Sequence, residues 1–126
     1  MDSSPLGELV AFSTGKSRPS EKGSGYSVYG ANGVIGTSPQ FNAEPGTTIV
    51  GRVGSYCGAV HYSRDRCWVT DNAIIATAKD GVHPRYVHYL LTRLGLNRYR
   101  IGSGQPLLTQ GILNRLGVPR LTRAAE

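Results

Sequence analysis

Acidic side chains are scarce in this chain and missing from most of its last third. Eight Asp and Glu stand against fourteen Lys and Arg, and from Gly81 through Ala125 there are seven arginines and no acid. Metal-dependent nucleases gather carboxylates around one or two ions, which eight scattered acids do not do. His61, Asp65, Asp71, Asp80, His83 and His88 form no H-E-x-x-H, no metal-spaced acid pair, and no G-x-S-x-G elbow is present. No catalytic residue, metal or cofactor is expected. Cysteine is limited to Cys57 and Cys67, which have no His or Cys neighbours at zinc-ligand spacing. Two free, mostly buried thiols are expected in a reducing compartment. No apolar run approaches the roughly 18 residues of a membrane span, and MDSSPLGE lacks the features of a signal peptide. The expected location is the cytoplasm.

What is present is a basic, glycine-rich chain of 126 residues with net charge +6. This length suits one domain, with about 65% of the unfolded surface buried and no need of a staple. Eleven of the fourteen cations are Arg, the side chain suited to bidentate contact with phosphate or guanine. Seventeen glycines, about twice the ordinary ~7% usage, are dispersed and imply many turns.

Leu6 to Phe12 is a short apolar stretch, read as a strand or helical turn, with a loop over Ser13 to Ser20 and a mobile polar tract from Arg18 to Gly25. SVYGANGVI, Ser27 to Ile35, places Asn32-Gly33 between apolar pairs and predicts a hairpin with a type I′ turn. Thr47 to Val53, Gly58 to Tyr62 and Trp68 to Ala78 are β-branched and aromatic, and predict further strands of a twisted antiparallel meander. Val87, Leu90, Leu91 and Leu94 form one helical face after Pro84, with Gly95 as the stop. A second helix is predicted from Thr109 as N-cap, burying Ile112, Leu113 and Leu116 before Gly117. The class is α+β, with strands first and helices after.

The spacing of Gly30, Gly33 and Gly36 mimics a nucleotide loop but lacks the following helix and distant acid of a dinucleotide site. The stretch from Ile101 to Arg120 joins a glycine-rich loop to a short helix in the acid-free region. Loop amides and a helix start near Thr109 suit an anion. Ser103 is the phosphate candidate there, and Gln105 and Gln110 are the base-reading candidates. Elsewhere the DNA-binding candidates are Lys16, Arg18, Asn32, Arg52, Tyr56, Arg64 and Arg66. Each also has a purely structural reading: Asn32 as a turn residue, Tyr56 as a sheet residue, Arg64 and Arg66 as a solvated turn. Asp71-Asn72 is read as a turn fixed by its own side chains.

In order along the chain, SVYGANGVIG, IVGRVGSYCGAVHY, CWVTDNAIIA, the YVHYLL helix and GSGQPLLTQGILNRLGVP resemble a target recognition domain of the DNA specificity subunit of type I restriction-modification systems. The resemblance runs from Leu6 to Pro119. It implies a curved, barrel-like sheet in an α/β domain, and a non-catalytic role in phage defence: binding one half of a bipartite double-stranded DNA target for methyltransferase (modification) and restriction subunits. Family members continue after V-P into a proline-rich stretch and a long spacer helix and usually carry two such domains, whereas this sequence reads LGVPRLTRAAE. The expectation is a single recognition domain over 1–126, with flexible tails at 1–5 and 120–126, joining the enzyme if a spacer helix is supplied. The other function class is a protein-interaction module that regulates modification or restriction subunits.

Overall fold

The computed structural model describes residues 3–102 and 104–119. Nine short strands and two helices are arranged around one central sheet. The strands are β1 (Ser3–Pro5), β2 (Val10–Thr14), β3 (Tyr26–Gly30), β4 (Gly33–Ser38), β5 (Thr47–Gly51), β6 (Val60–Ser63), β7 (Cys67–Val69), β8 (Ala73–Ala78) and β9 (Gly117–Pro119). The helices are α1 (Pro84–Leu94) and α2 (Gln110–Arg115). The central sheet runs β2-β8-β5-β6, a smaller sheet runs β4-β3-β7, and β1 pairs with β9. These sheets are twisted and antiparallel-rich, but they are not closed into the barrel-like form expected.

β5 explains the layering. All five of its residues are buried, so both faces of the central sheet are covered. On one face Val10, Val50, Ile74 and Ala76 pack against Val87, Leu91, Leu108 and Leu113 from the helices and the loop before α2. On the other, Ile49 and Ala73 meet Ala43, Cys67 and Val69 of the smaller sheet's side. The two cysteines therefore lie in separate cores and are free thiols. Burial pushes the pKa of both up, which keeps them protonated and unreactive.

The helices follow their sequence signals. α1 runs from Pro84 to Leu94, buries Val87, Leu90 and Leu91, and ends at Gly95 with φ +62°, the left-handed cap that glycine adopts without strain. α2 is capped by the Thr109 hydroxyl, which accepts from Ile112 N at 3.1 Å. It is a short helix of six residues that buries Leu113 and half-buries Ile112 and Leu116.

Several strand expectations are corrected. The meander is interrupted, because β5 pairs with β8 and β7 leaves to run parallel to β3 in the other sheet. Trp68 to Ala78 is thus two strands, broken where Asp71 and Asn72 turn. That turn is not held by its own side chains. Thr70 Oγ1 accepts from Asn72 N at 3.3 Å, and Arg52 donates to the Asp71 carbonyl at 2.8 Å.

The β3–β4 hairpin forms, but its loop is Ala31-Asn32 between the paired Gly30 and Gly33. Neither loop residue has positive φ, and only Gly33, at φ +102°, crosses over. A type I′ turn needs positive φ at both central residues, so the expected type is wrong. The Asn-Gly signal marked the reversal and misplaced it by one residue. At the N-terminus, Ser3–Pro5 is a strand on Gly117–Pro119, where a flexible tail is expected for 1–5. The tail expected at 120–126 lies outside the described residues.

Candidate nucleic-acid interface

Antiparallel pairing puts alternate strand ends together, and here that gathers loops from distant parts of the sequence at one end of the central sheet. β2 ends beside the start of β8, where Gly15 N donates to Ala73 O at 3.0 Å. The segment after β5 joins them, with Arg52 N donating to Asn72 O at 2.9 Å. Gly54 N then donates to Pro106 O at 2.9 Å, fixing the glycine-rich loop against the Arg52–Tyr56 segment. The hairpin tip completes the group: a Cβ on Gly51 would fall 2.5 Å from Ala31 O, so glycine is what lets the hairpin approach.

Lys16, Asn32, Arg52, Tyr56 and Gln105 are brought to this loop end. Lys16 is exposed while its backbone is fixed twice, its N–H donating to Val69 O at 3.0 Å and its carbonyl accepting from Trp68 Nε1 at 3.0 Å. Tyr56, at 57% exposure, stands out from the turn after β5. Arg52 is half-buried and ties Nε to the Asp71 carbonyl, which orients the rest of its guanidinium. Asn32 is exposed and its Oδ1 is 3.3 Å from His61 Nε2. With the imidazole donating, the Asn32 carbonyl is engaged and its NH₂ remains as a pair of donors. That alters the adenine pairing expected for Asn32, since a bidentate adenine contact needs an acceptor as well.

Other candidates lie elsewhere. Arg18 is exposed and its guanidinium rests on Gly36 of β4. Gln110 is engaged by the fold: with its amide oriented to match its neighbours, it donates to Phe12 O at 3.2 Å and accepts from Thr14 N at 3.0 Å and Thr14 Oγ1 at 2.8 Å. Both ends of the amide are satisfied by β2, which removes it as a base reader. At the N-terminus of α2 the Thr109 hydroxyl accepts from Ile112 N, which satisfies one of the N–H groups that a helix start leaves unpaired. Ser103 lies outside the described residues.

Arg64 and Arg66 are at the opposite end of β6, on the turn to β7. There a cleft of about 700 Å³ is lined by Tyr26, Tyr29, Tyr62, Arg64, Arg66 and Arg85, among others. Arg66 is paired, its Nε 3.0 Å from Glu44 Oε1 and its guanidinium carbon 4.9 Å from the Phe41 ring centroid. Arg85 lies over Tyr62, 4.5 Å from its centroid, and His88 meets the same ring at 5.3 Å between centroids. Partial burial, with Arg85 and His61 adding repulsion, pushes the His88 pKa down. The cleft connects to the loop end, because Tyr29 in its wall stacks on His61 at 6.4 Å and His61 touches Asn32.

Tyr29, His61, Tyr62 and Arg85 were not singled out in the sequence as binding residues. Their signal is weak there: each is a single aromatic or basic residue in a strand or helix, and only the β6 edge unites them. Among the described residues, no group of three or more His, Cys, Asp or Glu could hold a metal ion. No helix among them is long and apolar enough to cross a membrane.

No protein-family model matches the chain. Among curated proteins it is 29% identical over 100 residues to the Type I restriction enzyme EcoprrI specificity subunit of Escherichia coli, a match covering 78% of this chain. The match spans only 25% of that protein's length. The S subunit of a type I restriction-modification system from M. genitalium has the same fold, with TM-score 0.80 and 15% identity over 92% of this chain and 33% of that one. The HsdS subunit from Thermoanaerobacter tengcongensis matches with TM-score 0.60 and 19% identity over 92% of this chain and 32% of that one. A chain from a structure of an assembling type I R-M system gives 0.62 and 19% over 93% and 33% respectively. In sequence and in fold, the chain is similar to one domain-sized part of the specificity subunits of type I restriction-modification systems.

Proposed function

We propose that this chain is a non-catalytic, sequence-reading domain for double-stranded DNA, recognising one half of a bipartite target. The carrying observation is the convergence of Lys16, Asn32, Arg52, Tyr56 and Gln105 from separate segments onto one end of a rigid sheet. Exposed polar tips on short, hydrogen-bonded loops suit base-edge reading, and the cations around them suit phosphate. Arg18 adds charge from the loop after β2, its guanidinium resting on the hairpin at Gly36. Through the same likeness, the domain works with methyltransferase and restriction subunits when joined to a spacer helix.

The test is selection of bound duplexes from a random pool, followed by anisotropy titration across salt. One preferred half-site should emerge, with affinity falling steeply between about 50 and 200 mM salt as counterions are released. Affinity that is flat with salt, or no binding to any duplex, refutes the reading. Capture of a modification subunit by a protein that ignores DNA favours the interaction-module alternative.

A further inference from the structure

Arg85 lines the cleft beside β6. It is in the first turn of α1, a turn without any acid, at the positive end of the helix dipole. The helix dipole disfavours a cation there. Its guanidinium is held by the Tyr62 face, and among the described residues the ion pair in this region is Arg66 with Glu44. Arg64, exposed on the β6–β7 turn, lines the same cleft. Asp65 is the one acid in that lining, against the three arginines.

The chemistry of the cleft discriminates between ligands. Two of its three tyrosine rings are engaged, Tyr62 by Arg85 and His88 and Tyr26 by Phe41 at 5.1 Å. The arginines of the lining outnumber the remaining ring, so the cleft favours an anion over a nucleobase. A tetrahedral anion needs only donors and positive potential, which the Arg64 and Arg85 guanidiniums supply; the first-turn N–H groups of α1 are taken up by His83.

We propose that Arg64 and Arg85 form a seat for a backbone phosphate of the DNA, at the far end of the β6 edge from the Asn32 tip. This rests on the DNA reading above. From His61, which meets Asn32, to Arg64 the chain advances about 10 Å in three steps of ~3.3 Å, within the ~12 Å width of a major groove. A duplex whose base edges meet Asn32 brings a flanking phosphate strand within reach of the cleft. The seat fixes register and contributes no base preference.

The experiment uses the full chain, a selected duplex and a scrambled one, titrated by anisotropy across salt. The double variant Arg64→Gln/Arg85→Gln should weaken binding to both duplexes by a similar factor and flatten the log K against log salt slope by about 1 to 2. Asn32→Ala should change the ratio between the duplexes and keep the slope, and Arg93→Gln, in the last turn of α1, should keep both. Thermal midpoints close to the parent's show that the variants are folded. If the parent binds and the double variant keeps its slope and affinity, the seat is refuted and the DNA reading stands. If the double variant shifts only the ratio between duplexes, the seat is also refuted. A parent that binds no duplex refutes both.

Discussion

Gly51 is the position at which a single methyl group should separate the loop cluster from the rest of the fold. It ends β5 with ordinary backbone geometry, so no conformational freedom is at stake. The issue is space: a Cβ would lie 2.5 Å from Ala31 O and closer still to Tyr56 O. Both obstacles are backbone, so neither can rotate away. One belongs to the hairpin tip and the other to the turn after β5, which must part to admit the methyl. Overpacking of this kind costs about 1–3 kcal/mol, which in a domain of this length lowers Tm by roughly 4–15 °C. Because the displaced segments carry Asn32 and Tyr56, Gly51→Ala should also lose discrimination between selected and scrambled duplexes at temperatures where it is fully folded. Gly104→Ala is the comparison, since its Cβ meets nothing within 4 Å. Thermal melts and paired anisotropy titrations provide the readout. An unchanged Tm with undiminished discrimination in Gly51→Ala refutes the close-approach argument.

Four further outcomes follow from particular side chains. Gln110→Ala should destabilise the fold by about 1–3 kcal/mol in a urea titration, because Phe12 and Thr14 lose their partner, and should leave base preference intact, whereas Gln105→Ala should do the reverse. Thr48→Val should raise stability by about 1 kcal/mol, since the buried Thr48 hydroxyl has no partner among the described residues; a lower melting temperature rules this out. Thr109→Ala should cost about 0.5–2 kcal/mol through the lost cap on Ile112, read by chemical denaturation. His88 has a folded pKa pushed below 6.5 by burial and by Arg85 and His61. The fold therefore favours its neutral form, and that stabilisation is complete above pH 6.5 and declines as pH falls through the folded pKa. His88→Gln should flatten the loss of stability between pH 7 and 5, and an identical slope in parent and variant contradicts it.

The extent to which the chain could be read in advance differed between elements for identifiable reasons. α1 was legible because its apolar period, Pro84 and Gly95 all act within one turn of the helix they define. The hairpin was legible as a reversal and not as a turn type, since Ala31, Asn32 and Gly33 offer two adjacent places to turn and the register of the paired strands, Gly30 on Gly33, fixes which one is used. The strands before and after Asp71 read as one in the sequence because composition does not record which sheet a residue joins. Of the candidate binding residues, the exposed loop tips were recognisable by type. Gln110 and Arg66 were not separable from them, because the partners that occupy them, Thr14 and Glu44, are 96 and 22 residues away.

The sequence by itself determined the α+β class, the two helices with Gly95 and Thr109 as caps, the scarcity of acids and the family likeness, all of which depend on local patterning or on ordered motifs. Only the tertiary structure decided that β7 leaves the central sheet, that five dispersed tips share one end of it, and that Arg64 and Arg85 face one cleft along β6. Those outcomes depend on which strand edges pair across long separations, and pairing is chosen by the burial of both faces of β5 rather than by any segment on its own.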